Sequence, residues 1–149
     1  MNIYLTALGC KLNQAEIESL ARRVVDAGHT VVADPGSAEW AIINTCTVTH
    51  VADKKSRQLI RQLHRANPAM RIAVIGCYGE MSATEAARLA GVALVAPNRA
   101  KDEVLESLLA LSASAPSESP VDPPPLLHTR ALVKIQDGCD NRCSYCIVG

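Results

Sequence analysis

WAIINTCTVTHVADKKSRQLIRQLHRANPAMRIAVIGC, residues 40–77, holds a complete strand–helix–strand unit with a cysteine at the end of each strand. Trp40 to Asn44 is a short continuous apolar run that ends in Thr45-Cys46. A helix is expected from about Val51 to Ala66, with Leu59, Ile60 and Leu63 on one side. Asn67-Pro68 closes it, because the residue before a proline is pushed out of the helical region. Arg71 to Ile75 is a second apolar run, ending in Gly76-Cys77. Apolar runs without alternation suit strands covered on both faces, and a helix between two of them predicts parallel pairing.

The same pattern continues on both sides. Upstream, Ile3 to Leu8 is a strand candidate followed by Gly9-Cys10. Asn13 and Glu16 have the spacing of a capping box. Ile17, Leu20, Val24 and Ala27 follow at helical intervals, with Gly28 as the stop. His29 to Ala33 reads as a strand, and Asp34-Pro35-Gly36 as a turn. Downstream, Ser82 and Glu85 form a second capping-box pattern and open a helix that ends near Gly91. Val92 to Ala96 is a fifth strand. Lys101 to Leu111 is a last helix with Val104, Leu105, Leu108 and Leu109 on its apolar face. Residues 1–111 are therefore expected to be an α/β domain, a doubly wound parallel sheet of about five strands and flavodoxin-like size.

Residues 112–128 break the pattern. Ser112 to Leu127 contains five prolines and four serines in sixteen residues, the composition of a semi-stiff linker. Thr129 to Gln136 reads as the first strand of a second domain that begins at residue 129. A strand and a loop are not a domain, so the chain is expected to be the truncated front of a longer protein.

Composition narrows the class. Apolar residues make up 48 %, and aromatics only 3 %. The core must come from Val, Ile, Leu and Ala. Formal net charge is zero, which excludes binding of polyanions by bulk electrostatics and leaves only local patches. The start of the chain lacks the basic and apolar regions of a secretory signal, and no apolar run approaches the ~20 residues of a membrane span. A cytoplasmic location and no membrane contact are the expectation. Six grouped cysteines in such a chain point to metal or redox chemistry rather than disulfides.

Three of the six, Cys139, Cys143 and Cys146, lie in GCDNRCSYCIVG with C-x3-C-x2-C spacing. Three thiolates can hold three irons of a cubane cluster and leave one open to an exogenous ligand. This is the arrangement of radical S-adenosylmethionine enzymes. There the cofactor's amino and carboxylate groups chelate the open iron, and one-electron reduction releases a 5′-deoxyadenosyl radical. Tyr145, between two ligands, either packs on the cofactor or shields the loop. The other three, Cys10, Cys46 and Cys77, are far apart in sequence, yet each follows an apolar strand and precedes a helix. In a parallel sheet such positions share one edge, so they are expected to meet as a second metal site. The alternatives are small buried hydrophobes or a zinc site with His50 as a further ligand. A non-catalytic zinc or iron–sulfur binding module is therefore a competing function. A nucleotide- or flavin-binding domain is disfavoured, since no glycine-rich phosphate loop follows the first strand.

One cationic stretch stands out. Lys54, Arg57, Arg61 and Arg65 recur at helical steps, with Lys55 beside them and Asp53 the single acid. They form either a solvated outer face or a contact to nucleic-acid phosphates.

Four segments carry a resemblance: LGCKLNQAE, INTCTVTHVADKKSRQLIRQ, VIGCYGE and KIQDGCDNRCSYC. Together they resemble the methylthiotransferases, radical S-adenosylmethionine enzymes with an amino-terminal cluster domain. The ADKKSRQLIR helix followed by NP is most similar to the subgroup that methylthiolates C2 of N6-threonylcarbamoyladenosine at position 37, next to the tRNA anticodon. The isopentenyladenosine enzymes and the ribosomal-protein aspartate enzymes are the alternatives. The resemblance implies an auxiliary 4Fe–4S cluster on Cys10, Cys46 and Cys77. It implies a radical cluster and S-adenosylmethionine on Cys139, Cys143 and Cys146. It also implies a monomer that takes the tRNA anticodon stem-loop and a reducing electron donor such as flavodoxin. Asn13 and Asn44 fall in its motifs, as pocket-lining or backbone-bracing residues. Arg142, Gly149 and Gly79-Glu80 depart from the family pattern, and the fragment alone is expected to be inactive.

Overall fold

A computed structural model describes residues 1–46, 50–112, 132–136, 138–141 and 143–146. Five strands form one sheet: β1 (Asn2–Ala7), β2 (Thr30–Val32), β3 (Trp40–Thr45), β4 (Arg71–Gly76) and β5 (Val92–Val95). Their order is β2-β1-β3-β4-β5, and every neighbouring pair is parallel. The helices are α1 (Lys11–Asp26), α2 (His50–Ala66), α3 (Cys77–Met81), α4 (Ala83–Ala87) and α5 (Val104–Ala110). The doubly wound α/β sheet expected from the apolar runs is the fold observed.

Both faces of the sheet are covered. On one, Ile3 and Leu5 of β1, Trp40 and Ile42 of β3, and Ala73 and Ile75 of β4 pack under α1 and α5. Ile17, Leu20 and Val24 of α1 and Val104, Leu105 and Leu108 of α5 close that layer. On the other, Ala41 and Ile43 of β3 and Ile72 and Val74 of β4 meet Ile60 and Leu63 of α2, Tyr78 of α3 and Ala86 of α4. The strict alternation of β3 and β4 between two layers explains their unbroken apolar sequence. Trp40 and Tyr78 supply the aromatic bulk, one in each layer. The Trp40 indole donates to Ser112 Oγ at 2.8 Å, and the Arg71 guanidinium lies 5.4 Å from its ring centroid.

Several local expectations are corrected. Asn13 does not cap α1. The helix starts at Lys11 with Cys10 as its cap, and Asn13 is buried within it. Ser82 does precede α4, but its side chain makes no capping bond. The helix expected over Lys101–Leu111 is a 3-10 turn, Asn98–Glu103, followed by α5. Glu80 holds the start of that turn, accepting from the Asn98 amide at 2.8 Å. Residues 132–136 are not in a strand of the described sheet, and Val133 and Ile135 are exposed. Most of the expected linker, together with Arg142 and Gly149, lies outside the described residues.

Candidate metal centre

The parallel sheet puts the carboxyl ends of its strands on one edge, and three adjacent strands end there in a cysteine. Cys10 follows β1, Cys46 follows β3 directly, and Cys77 follows β4 and opens α3. The strand order reverses between β1 and β3. Their crossovers leave on opposite faces there and open a crevice outside the strand ends, the usual ligand position in such sheets. Cys10 and Cys46 flank that crevice, and Cys77 is on the next strand.

Two glycines allow these loops to approach. Gly9 has φ of 121°, and a Cβ there would fall 2.6 Å from Cys46 Cβ and 3.3 Å from Cys46 Sγ. Gly76 has φ of 87°, and a Cβ there would run into Asn44 Oδ1 and the Thr45 carbonyl. Both are left-handed positions that a side chain would strain. The loops after β1 and β4 thus pack against the end of β3 with no room for a methyl group.

Two asparagines tie the loop after β1 to the end of β3, and Thr45 links that end to β4. Asn13 donates through Nδ2 to the Leu8 carbonyl at 3.0 Å and the Thr45 carbonyl at 3.1 Å. Its Oδ1 accepts from the Cys10 thiol at 3.2 Å. Asn44, fully buried, donates to the Asn13 carbonyl at 3.4 Å and to Glu16 Oε2 at 2.8 Å. Its own carbonyl accepts from the Leu8 amide at 2.8 Å. Asn44 Oδ1 is buried beside Gly76 and has no hydrogen-bond partner. Thr45 Oγ1 bonds the Ile75 carbonyl at 2.5 Å, and Ser56 Oγ bonds the Cys46 carbonyl at 3.3 Å. Of the two roles open to Asn13 and Asn44, bracing the cysteine edge is the one their bonds serve.

The thiols themselves are reachable. Cys10 is exposed, Cys46 and Cys77 are half-buried, and none of the six cysteines is in a disulfide. No three His, Cys, Asp or Glu side chains among the described residues are grouped as around a single metal ion. A cubane distributes its cysteines over different irons, so it makes no such demand. His50, the proposed extra zinc ligand, is exposed at the start of α2. Three thiols at adjacent strand ends are the donor chemistry that an iron–sulfur cluster takes, and the glycines and asparagines bring the loop of Cys10 against that of Cys46.

Behind the edge lies a feature that sequence reasoning missed. Glu16 is mostly buried and bonds Lys101 Nζ at 2.6 Å and Lys134 Nζ at 2.9 Å through Oε1. Burial pushes its pKa up, but the bonds from Lys101, Lys134 and Asn44 outweigh this and hold the carboxyl below its ordinary value. Glu16 stands three residues after Asn13 and reads as a helix cap. Its partners are 85 and 118 residues away, so no local spacing in the sequence relates them.

In the second trio, the Cys146 amide donates to the Cys143 carbonyl at 3.0 Å, a tight turn that puts both cysteines on one loop. Asn141 Nδ2 donates to Cys139 Sγ at 3.4 Å. Cys139 is half-buried, while Cys143, Tyr145 and Cys146 are exposed.

The basic stripe on α2 is only partly a free face. Lys54, Arg61 and Arg65 are exposed. Arg57 is not. It forms an ion pair with Glu85 at 3.3 Å and lies against Tyr78. Burial pushes the Tyr78 phenol up, and the neighbouring guanidinium opposes that. Arg57 therefore joins α2 to α3 and α4, and the sequence spacing could not distinguish it from its neighbours.

Residues 2–96 match the family model described as Uncharacterized protein family UPF0004. The chain is 34 % identical, over 97 % of its length, to a protein of Chlamydia pneumoniae named threonylcarbamoyladenosine tRNA methylthiotransferase. It is 35 % identical, over 95 % of its length, to the Bacillus subtilis protein of that name. It is 32 % identical, over 97 %, to the tRNA-2-methylthio-N(6)-dimethylallyladenosine synthase of Dehalococcoides mccartyi. In each case the aligned part is about a third of the relative's length: 34 %, 34 % and 33 %.

Proposed function

Because the chain belongs to the UPF0004 family, among the methylthiotransferases, we propose that it is the cluster-binding front of a tRNA methylthiotransferase. The substrate in this reading is N6-threonylcarbamoyladenosine at position 37, and the methylthio group goes to C2 of its adenine. The observation that carries the proposal is the placement of Cys10, Cys46 and Cys77 at the ends of three adjacent strands.

In this reading Cys10, Cys46 and Cys77 hold an auxiliary 4Fe–4S cluster. Cys139, Cys143 and Cys146 hold the radical cluster with S-adenosylmethionine. Bound there, these groups supply the radical and the sulfur chemistry, which no side chain can provide. The protein's part is to orient and to exclude. Gly9 and Gly76 let the loops close on the cluster, and Asn13 and Asn44 fix the spacing of the loops after β1 and β3. Tyr145, exposed beside two of the cysteines, is available to cover the bound cofactor. Lys54, Arg61 and Arg65 meet phosphates of the anticodon stem-loop, positioning it without reading its sequence. The reading includes action in the cytoplasm, as a monomer supplied by a reducing donor such as flavodoxin; among the described residues no helix is long and apolar enough to cross a membrane.

The likeness to the dimethylallyladenosine enzyme makes that nucleoside the second reading. Mass spectrometry of tRNA from cells lacking the full-length protein decides between them. Loss of 2-methylthio-N6-threonylcarbamoyladenosine supports the first reading. Loss of the methylthiolated dimethylallyl nucleoside supports the second, and no change in either refutes both.

A further inference from the structure

Glu16 serves two parts of the molecule with one carboxylate. Through Oε2 it receives Asn44 Nδ2, and Asn44 in turn holds the Asn13 carbonyl beside Cys10. Through Oε1 it receives two ammonium groups, Lys101 at 2.6 Å and Lys134 at 2.9 Å. Lys134 stands five residues before Cys139, on the approach to the second cysteine trio. Residues 132–134 line a groove of about 300 Å³ together with Glu16, Lys101 and Ile75. Ile75 is two residues before Cys77. The groove thus joins the segment leading to one trio to the edge that bears the other.

The charges explain why Lys134 is held. The Lys101 side chain is 6 % exposed and that of Glu16 is 12 %, so this pair is shielded from water. Lys134, at 30 %, adds a second ammonium to the same oxygen. Charge-assisted bonds from two ammonium groups to one carboxylate are short and strong where water is excluded. Residues 132–136 are in no strand of the described sheet, and the Lys134–Glu16 ion pair ties them to α1.

We propose that Glu16 is a positioning residue: it captures Lys134 and so docks the segment leading to Cys139 against the edge that carries Cys10, Cys46 and Cys77. The proposal rests on the two-cluster reading above for its meaning in catalysis, but the docking can be tested without clusters. In the full-length protein, trace acetylation by an N-hydroxysuccinimide ester, read lysine by lysine in the mass spectrometer, reports which amines are paired. Lys134 should react about tenfold more slowly than the exposed Lys54 and Lys55. Glu16→Gln should raise the Lys134 rate about tenfold and leave Lys54 and Lys55 unchanged. Lys101→Met, which keeps the carboxylate, should leave Lys134 slow, and it decides the matter if Glu16→Gln loosens the whole fold. Equal rates for Lys134 and Lys54 in the unaltered protein, or a Lys134 freed by Lys101→Met, would overturn the anchor.

The second readout is one that a general loss of stability would not mimic. Lys134→Met should lower tRNA methylthiolation, and the double variant should lose little more than Glu16→Gln alone, since residues acting through one contact are not additive. Iron per chain should be unchanged in all three. Independent losses that multiply, or loss of iron with activity, would refute a positioning role. Absence of methylthiolation by the unaltered protein would sink the functional reading instead, leaving the acetylation result to judge the anchor.

Discussion

Gly76 and Asn44 show how closely the cysteine edge is built. Asn44 is fully buried, and its Oδ1 sits where a side chain on residue 76 would begin. Gly76→Ala would combine a left-handed backbone with a collision against Asn44 and the Thr45 carbonyl. Such strain costs about 2 kcal/mol or more. The thermal midpoint should fall by about 10 °C for a domain of this size. A scan showing an unchanged midpoint would mean that the loop before Cys77 can retreat from β3. Neither role was visible in the residue types alone. A glycine before a cysteine suggests close approach, but not what is approached. Asn13, likewise, has the identity and spacing of a helix cap, and only the position of Thr45 across the sheet shows that it bonds between strands.

At the level of elements, the strands were legible because burial on both faces leaves an unbroken apolar run, and β3 and β4 are such runs. The helices α1 and α2 were legible because their periodicity extends over several turns. The five-residue α3 was not, because so short a helix has no period to read, and its burial of Tyr78 is a tertiary fact. Residues 132–136 carry strand-forming Val and Ile, yet a strand exists only beside a partner. The α2 stripe makes a separable prediction. Lys54→Ala, Arg61→Ala and Arg65→Ala together should weaken tRNA binding by the full-length protein. The slope of log affinity against log salt should fall by roughly 2 to 3 units. Arg57→Ala should instead loosen the packing of α2 on α3 and α4 and leave that slope nearly unchanged, since its charge is committed to Glu85. A filter-binding titration in which Arg57→Ala changes the slope as much as Arg61→Ala does would contradict this division.

On the scale of the whole molecule, the topology does what no single motif can. Cys10, Cys46 and Cys77 are separated by 36 and 31 residues in the chain (46 − 10 and 77 − 46), and no local spacing relates them. The order β2-β1-β3-β4-β5 puts their strands side by side, and parallel pairing sends all three cysteines to one edge. That much followed from three similar strand ends in the sequence; the strand order did not, because apolar runs do not say which neighbour they choose. The shared site is tested most directly by iron and sulfide analysis of the full-length protein after anaerobic reconstitution. About eight irons per chain are expected, and Cys10→Ala, Cys46→Ala and Cys77→Ala should each leave about four, with the same residual spectrum. Unequal losses among the three variants, or an iron content that none of them changes, would contradict a single cluster held by all three cysteines.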